Sequence, residues 1–462
     1  MKEIFLKNKF SVFKIAYMSL FLFVLMGRFI GLYWVIPHCV DTALFMFLTL
    51  CALSMVAFDL FSEKKLLRVP NINFLIFFII SCCISCVIYI GYGWADNLKA
   101  LMSIAVSVFF LYSYTAINGM EDVKKLILLL QKILILFWMI FAIGSLVTFV
   151  MQYSNVFYMH GTRIIVGCIE NRLFGLFSDP NYASVISIIT MVFSVAILNY
   201  QNQSKFIRIV CIINLFMQFC YLVLGASRTG EVCFIVVLLM SGFVYSYKIN
   251  PSKKFSCLMF RILAVVCLCI SVHFFIEYIR ILFSYVPSIF EGAGRSGMNL
   301  HQISMERPDV AESTDISNLR FKIWSSAIDI FKTTWLFGAS PRNALKYAGD
   351  VLPDAFIAKR NYDAHNFYVA IALYTGVSGI ICLGTFLIKS AVKMIKYYIV
   401  NKFQINDTFF NSLVVSTMCI AVSGMFLSEI LFITTVGSFL FWLFLGYISS
   451  EVKGKTVIGE EK

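Results

Sequence analysis

Two arginines and one histidine in this chain have the chemistry to hold an anion and move a proton. Arg228 lies in L-G-A-S-R-T-G-E, between two apolar runs joined almost without a loop. An arginine beside hydrocarbon costs free energy unless it is paired or reaches back to water. Its planar fork matches two phosphate oxygens at once. An ion pair with Glu231, three residues on, is the competing reading. Arg320 falls in N-L-R-F-K-I-W-S-S-A-I-D-I-F-K from Asn318, where an anion also meets the free N–H groups of a helix start. A solvated arginine is the plain alternative. His365 stands in D-A-H-N-F-Y from Asp363, at the lip of an apolar run, beside Asn366. An imidazole titrates near neutrality and accepts a hydroxyl proton; it also serves simply to cap a helix. Polar chemistry at a water–lipid border suits a substrate with a polar head and a lipid tail.

Other candidates support these. Arg163 and Arg172 precede F-S-D-P-N-Y, where Asp179-Pro180-Asn181 reads as a turn and helix start, or as part of a site. Asp179 and Asp363 are carboxylates near these bases in the sequence. No two aspartates stand two residues apart, and no Walker A, nucleophile elbow or H-E-x-x-H occurs. A carboxylate-held metal is therefore disfavoured, and charge neutralisation falls to arginine. The five histidines (His38, His160, His273, His301 and His365) all fall at or beyond one side of the apolar runs.

These residues sit in a chain of 462 residues with 60% hydrophobic and 14% charged content and a mean hydropathy of +0.85. That composition excludes a soluble domain and predicts a polytopic, all-α membrane protein. About twelve runs reach spanning length, near 15–35, 41–60, 72–91, 98–118, 133–152, 182–200, 209–226, 230–247, 258–278, 366–388, 409–428 and 430–449. The net charge of +13 reads as a topogenic signal and not as nucleic-acid affinity. Lys and Arg gather at the N-terminus, in every even-numbered connection and in the tail, which predicts both termini inside. Most of the fourteen cysteines lie in apolar runs as small core residues. Cys39 and Cys168 fall on the outer side, either paired or as free thiols. The basic N-terminus lacks a small-residue cleavage site, so a retained first span is expected.

Three regions follow. Residues 1–278 hold spans one to nine with a medium outer loop at about 153–181; residues 279–365 form a large outer loop; residues 366–462 hold the last three spans and a cytoplasmic tail. In the large loop, E-G-A-G-R-S-G from Glu291 is glycine-rich and reads as mobile. Ile323, Trp324, Ala327, Ile328, Phe331 and Trp335 recur at helical spacing, with Lys322, Ser326, Asp329 and Lys332 opposite. An amphipathic helix is predicted, N-capped by Ser317 or Asn318. It lies along the membrane surface or packs on the bundle as a lid.

The order Arg320-x-x-x-Trp324, Gly338, His365-Asn366-x-Tyr368, Gly376-x-x-Gly379 resembles the O-antigen ligase and Wzy polymerase superfamily. Asp179-Pro180-Asn181 and the Ser227-Arg228 turn look like two further landmarks of it. The resemblance implies a helical bundle related to the GT-C glycosyltransferases in the bacterial cytoplasmic membrane. It implies undecaprenyl-pyrophosphate-linked oligosaccharide and polysaccharide as substrates, with no metal or other cofactor. Arg228 and Arg320 would bind the pyrophosphate and His365 would activate the acceptor hydroxyl. Arg172, Asp179, Asn181, Asp363 and Asn366 are the candidate supporting residues. A polymerase of O-antigen or capsule is expected, with a chain-length regulator and a flippase as candidate partners and no nucleic acid. A ligase passing finished glycan to a lipid A core shares the site. A precursor transporter or flippase is the rival of another class.

Overall fold

The computed structural model describes residues 2–63, 69–200, 203–249, 255–292, 302–305, 307, 319–401 and 407–460. The chain is an all-α polytopic membrane protein. Among the described residues, seven helices are long and apolar enough to cross a membrane, with shorter apolar helices at Val12–Gly27, Ile72–Ile88 and Thr408–Ser423. Each of the twelve predicted runs falls on a helix. The helices in chain order are α1 (Lys2–Gly27), α2 (His38–Glu63), α3 (Ile72–Ile88), α4 (Trp94–Ala105), α5 (Tyr114–Asn118), α6 (Met120–Val150), α7 (Pro180–Leu198), α8 (Lys205–Leu224), α9 (Arg228–Ile249), α10 (Phe255–Phe283), α11 (Val286–Gly292), α12 (Arg320–Thr333), α13 (Ala344–Val351), α14 (Phe356–Arg360), α15 (Phe367–Val400), α16 (Thr408–Ser423) and α17 (Val436–Glu460).

Two compact units divide the chain. The first comprises Met1–Leu44, Lys124–Glu312 and Asp407–Cys419. Its connection at 153–181 is not a plain loop. It forms β1 (Ser154–Met159), β2 (Thr162–Ile169) and β3 (Arg172–Gly175), an antiparallel sheet in the order β1-β2-β3. Each turn is two residues long and left-handed, His160-Gly161 (φ 49°, 78°) and Glu170-Asn171 (φ 52°, 57°), which matches the right-handed twist of the flanking strands. After β3 the chain pairs with the end of α1: Gly31 N–H donates to Leu176 O (2.8 Å) and Ser178 N–H to Phe29 O (2.8 Å). Phe177 then enters an aromatic core, stacked on Trp138 at 5.1 Å and edge-on to Tyr221 at 5.0 Å. Between α7 and α8 the glue is polar. Asn214 donates to Ser194 Oγ (2.9 Å), and Gln218 donates to Asn214 Oδ1 (2.9 Å), as suits helices that gain little from apolar contact in lipid.

The second unit comprises Phe45–Val123, Ser313–Asn406 and Ile420–Lys462. Its centre is a backbone crossing. α15 breaks at Gly376 (φ 65°, ψ −162°), which releases N–H groups from the helical ladder. The segment after α12 takes them up: Val377 N–H donates to Trp335 O (2.8 Å) and Ser378 N–H to Leu336 O (3.2 Å). In return Ala339 N–H donates to Leu373 O (2.8 Å). Gly338 (φ 69°) and Gly376 are each pressed against the other segment's backbone. No side chain fits at either position. From α3, Ser85 Oγ donates to Tyr374 O (3.0 Å), and Ser81 hydrogen-bonds Ser378.

α12 differs from its predicted form. Its N-cap is Leu319, left-handed at φ 67° and without a side-chain cap; Ser317 and Asn318 lie outside the described residues, as do residues 293–300 of the glycine-rich stretch and His301. Its buried face is Ile323, Ser326, Ala327 and Ile330. Ser326 is buried because its Oγ accepts the N–H of Ile357 (3.2 Å). Ile328 and Trp335, assigned to the apolar face, are exposed. The helix packs on the bundle in one cluster with Ala344, Ile357 and Leu373.

Cys39 and Cys168 are free thiols. Burial pushes the Cys168 thiol up to about 11, so little thiolate exists at neutral pH. Maleimide is expected to label exposed Cys39 quickly and Cys168 slowly at pH 7, the latter accelerating as pH rises toward 11; mass spectrometry reads both. Gly376→Ala is expected to lower stability by about 1–2 kcal/mol from the left-handed backbone alone, and by more once the methyl meets the 336–337 backbone. Thermal unfolding in detergent measures it.

Candidate functional site

In the first unit, α8 ends at Leu224 and α9 begins at Arg228, with Gly225, Ala226 and Ser227 making the turn. A helix end leaves carbonyls without partners and carries partial negative charge. Three guanidiniums meet it. Arg280 Nε donates to Val223 O (3.2 Å), Arg172 Nε to Gly225 O (3.2 Å), and Arg307 to Ala226 O (2.8 Å). Ala226 is left-handed, φ 48°, an unusual conformation for a residue with a Cβ. Ser227 then caps α9, its Oγ accepting the N–H of Gly230 (3.0 Å). The same hydroxyl donates to Asn181 Oδ1 (3.0 Å), which also accepts Arg172 (3.0 Å).

Asn181 thus ties β3, the start of α7 and the α9 turn together. Asp179 is the N-cap of α7, its carboxylate accepting Asn181 N–H (2.6 Å), and Pro180 fills the first helical position. The helix start read from Asp179-Pro180-Asn181 is present, for the stated reason.

Beside this turn opens a cleft of about 740 Å³. Arg228, Arg280 and Arg307 line it, with Glu231, Glu277 and His273. Arg280 is ion-paired to Glu277 (2.7 Å). Glu231 meets the Nδ1 of His273. Three guanidiniums against two carboxylates, at the N-terminal end of α9, favour an anionic ligand. Arg228 itself is exposed.

In the second unit, His365 is held between two anchors. Asp363 Oδ1 accepts the hydroxyl of Tyr374 (2.6 Å). Asn366 caps α15, its Oδ1 accepting the N–H groups of Tyr368 (2.9 Å) and Val369 (3.1 Å). The cap of this helix is therefore Asn366 and not His365. His365 is left-handed, φ 46°, and exposed, its ring 6.5 Å from that of Tyr362. Phe367 N–H donates to Gly424 O (2.7 Å), and Tyr368 hydroxyl to Ala421 O (2.8 Å). Arg320, first residue of α12, lies over the ring of Phe426 from the same 421–427 segment, 4.9 Å from its centroid. Arg320 and the His365 turn are thus fastened to one stretch of chain.

The first unit brings Arg172, Asp179, Asn181 and the Arg228 turn together. The second does so for Arg320, Asp363, His365 and Asn366. Sequence reasoning passed over Arg280, Arg307, His273 and Glu277 as site residues. His273, Glu277 and Arg280 stand at i, i+4 and i+7 of α10, a spacing that puts three polar groups on one face. Among the described residues, no group of three or more His, Cys, Asp and Glu side chains is placed to hold a metal ion. Asn366→Ala is expected to cost about 1 kcal/mol through the lost cap, while Asn366→Asp, which still accepts both N–H groups, retains most of it. Chemical or thermal denaturation in detergent tests the pair.

The family model for O-antigen ligase matches residues 213–384. A comparison with curated proteins gives no match. The matched segment contains Arg228, Arg320, Asp363, His365 and Asn366, and leaves Arg172, Asp179 and Asn181 before it. Over that segment the chain is similar to the O-antigen ligase family.

Proposed function

We propose that this protein is a polymerase of surface polysaccharide, O-antigen or capsule. The family points to a glycosyltransferase-like enzyme of the ligase or polymerase type, with lipid-linked polysaccharide as substrate. The growing chain is transferred from undecaprenyl pyrophosphate to a hydroxyl of a lipid-linked repeat unit. The observation that supports this reading best is the arginine-lined cleft at the start of α9. Its size and charge suit a diphosphate, and its place at the end of two apolar helices suits a ligand with a lipid tail.

Roles follow the resemblance residue by residue. Arg228 and Arg320 bind diphosphate oxygens, and His365 takes the proton of the attacking hydroxyl as the acceptor oxygen bonds to the anomeric carbon. The C–O bond to the diphosphate breaks, and guanidinium charge stabilises the departing group. A single displacement inverts the anomeric configuration. Exposure of His365 beside two anchored neighbours fits a group that must reach a substrate. Arg172, Asp179, Asn181, Asp363 and Asn366 act as the frame.

We place the protein in the bacterial cytoplasmic membrane, both termini inside and residues 279–365 outside, with the three regions 1–278, 279–365 and 366–462 as functional divisions. A chain-length regulator and a flippase are proposed partners. The description of the matching family as O-antigen ligase favours a second reading, in which finished glycan passes to a lipid A core or another acceptor.

A deletion strain separates them. Polysaccharide cut to a single repeat supports polymerisation; full-length lipid-linked polymer that no longer reaches its acceptor supports ligation. In liposomes, Arg228→Ala and His365→Ala are each expected to slow chain extension at least about 100-fold. Extension at the normal rate by either variant removes that residue from the reaction. Movement of lipid-linked units across the bilayer without any new glycosidic bond identifies a transporter instead.

A further inference from the structure

The cleft beside α9 contains a histidine–carboxylate pair that the roles above leave idle. His273 of α10 meets the Glu231 carboxylate of α9 through Nδ1, and both residues line the cleft with Arg228. A carboxylate on one ring nitrogen fixes the tautomer and orientation of an imidazole. With Nδ1 so engaged, Nε2 is the nitrogen left for a ligand. The His273 side chain remains half exposed, at 52%, while Glu231 is at 20%. The arrangement is a fixed carboxylate behind a reachable imidazole.

We propose that His273, oriented by Glu231, donates a proton from Nε2 to the diphosphate as it departs. The inference rests on the proposed function and deepens it. As the acceptor oxygen bonds to the anomeric carbon, the C–O bond to the diphosphate breaks and its electron pair stays on the diphosphate oxygen. A proton passes from Nε2 to the diphosphate. The ring regains one from water, and the acceptor hydroxyl supplies the proton released overall. Arginine alone lowers the charge on the leaving group by attraction; a proton donor removes a unit of it.

Charged groups surround the ring. Arg228 and Glu231 face it from α9, Glu277 and Arg280 from α10, and Arg307 from the segment that closes the cleft. α8, the other helix against α10, brings Phe219 onto Phe275 with ring centroids 6.0 Å apart. Its Cys220 and Tyr221 are buried, and its Lys205 and Arg208 stand in its first turn.

The test uses the full-length protein in liposomes, with synthetic lipid-diphosphate-linked repeat units and rates followed across pH. His273→Gln keeps a hydrogen-bond donor but carries no transferable proton. It is expected to lower kcat about 100-fold, leave KM for the donor within about twofold, and flatten the alkaline limb of the kcat profile. Glu231→Gln holds the ring without a charge and is expected to lower kcat about 10-fold. A purely structural role would lower folded protein without reshaping the profile. If the wild type forms no glycosidic bond from these units, the proposed function falls and this inference with it. If it does, and the His273→Gln and Glu231→Gln profiles match the wild type in rate and shape, this inference alone is overturned.

Discussion

Left-handed residues at helix starts are the constraint on which both halves of the candidate machinery depend. Ala226 precedes α9 by two residues, Leu319 directly precedes α12, and His365 stands two before Phe367 of α15. None is glycine. A left-handed conformation costs an L-residue about 1–2 kcal/mol, so something must hold each in place. For Ala226 it is the set of guanidiniums on the surrounding carbonyls. For His365 it is the pair of anchored neighbours, Asp363 and Asn366. The benefit is geometric. A sharp turn immediately before a helix presents its side chains at the end where N–H groups point outward and the helix dipole is positive.

Charge at the α8–α9 turn follows from the same geometry. The chain leaves one helix C-terminus and enters another helix N-terminus within three residues. Opposite ends of two dipoles therefore lie side by side. Arg172, Arg280 and Arg307 answer the carbonyl end, while Arg228 marks the N–H end. Their reach differs, since Arg172 is also bound to Asn181 and Arg280 to Glu277. A cation that satisfies a carbonyl still presents its charge to the cleft, because a guanidinium has five donors. Structural and ligand-facing roles are thus compatible in one side chain.

Legibility in the sequence tracked the length scale of each signal. Each apolar run of spanning length falls on a helix among the described residues, because a bilayer demands hydrophobic length and a helical backbone before anything else. Asp179-Pro180-Asn181 announced a helix start through local capping chemistry alone. The sheet at 154–175 was missed because its turns, His160-Gly161 and Glu170-Asn171, lack the familiar Asn-Gly or Asp-Gly pair, though both adopt the required left-handed geometry. The face of α12 was misjudged because periodicity counts Ser326 as polar, whereas the N–H of Ile357 draws it inward. Partnerships such as Glu231 with His273 join residues 42 apart in the chain, and spacing on one helix does not reveal them.

The crossing at Gly338 and Gly376 joins two segments that lie far apart in sequence. α12 carries Arg320, and α15 carries the His365 turn at its start. A rigid joint between the two is needed if both are to keep their positions. Side-chain packing alone would let one helix slide on the other, since apolar surfaces have little directionality. Three backbone hydrogen bonds across the break in α15 remove that freedom, and they form only where two segments touch without Cβ atoms between them. A kink that looks like damage to a spanning helix is therefore the point at which that helix is locked to the arginine-bearing segment. The remaining fastening, of Arg320 and of Phe367 and Tyr368 to residues 421–427, closes the frame from the other side.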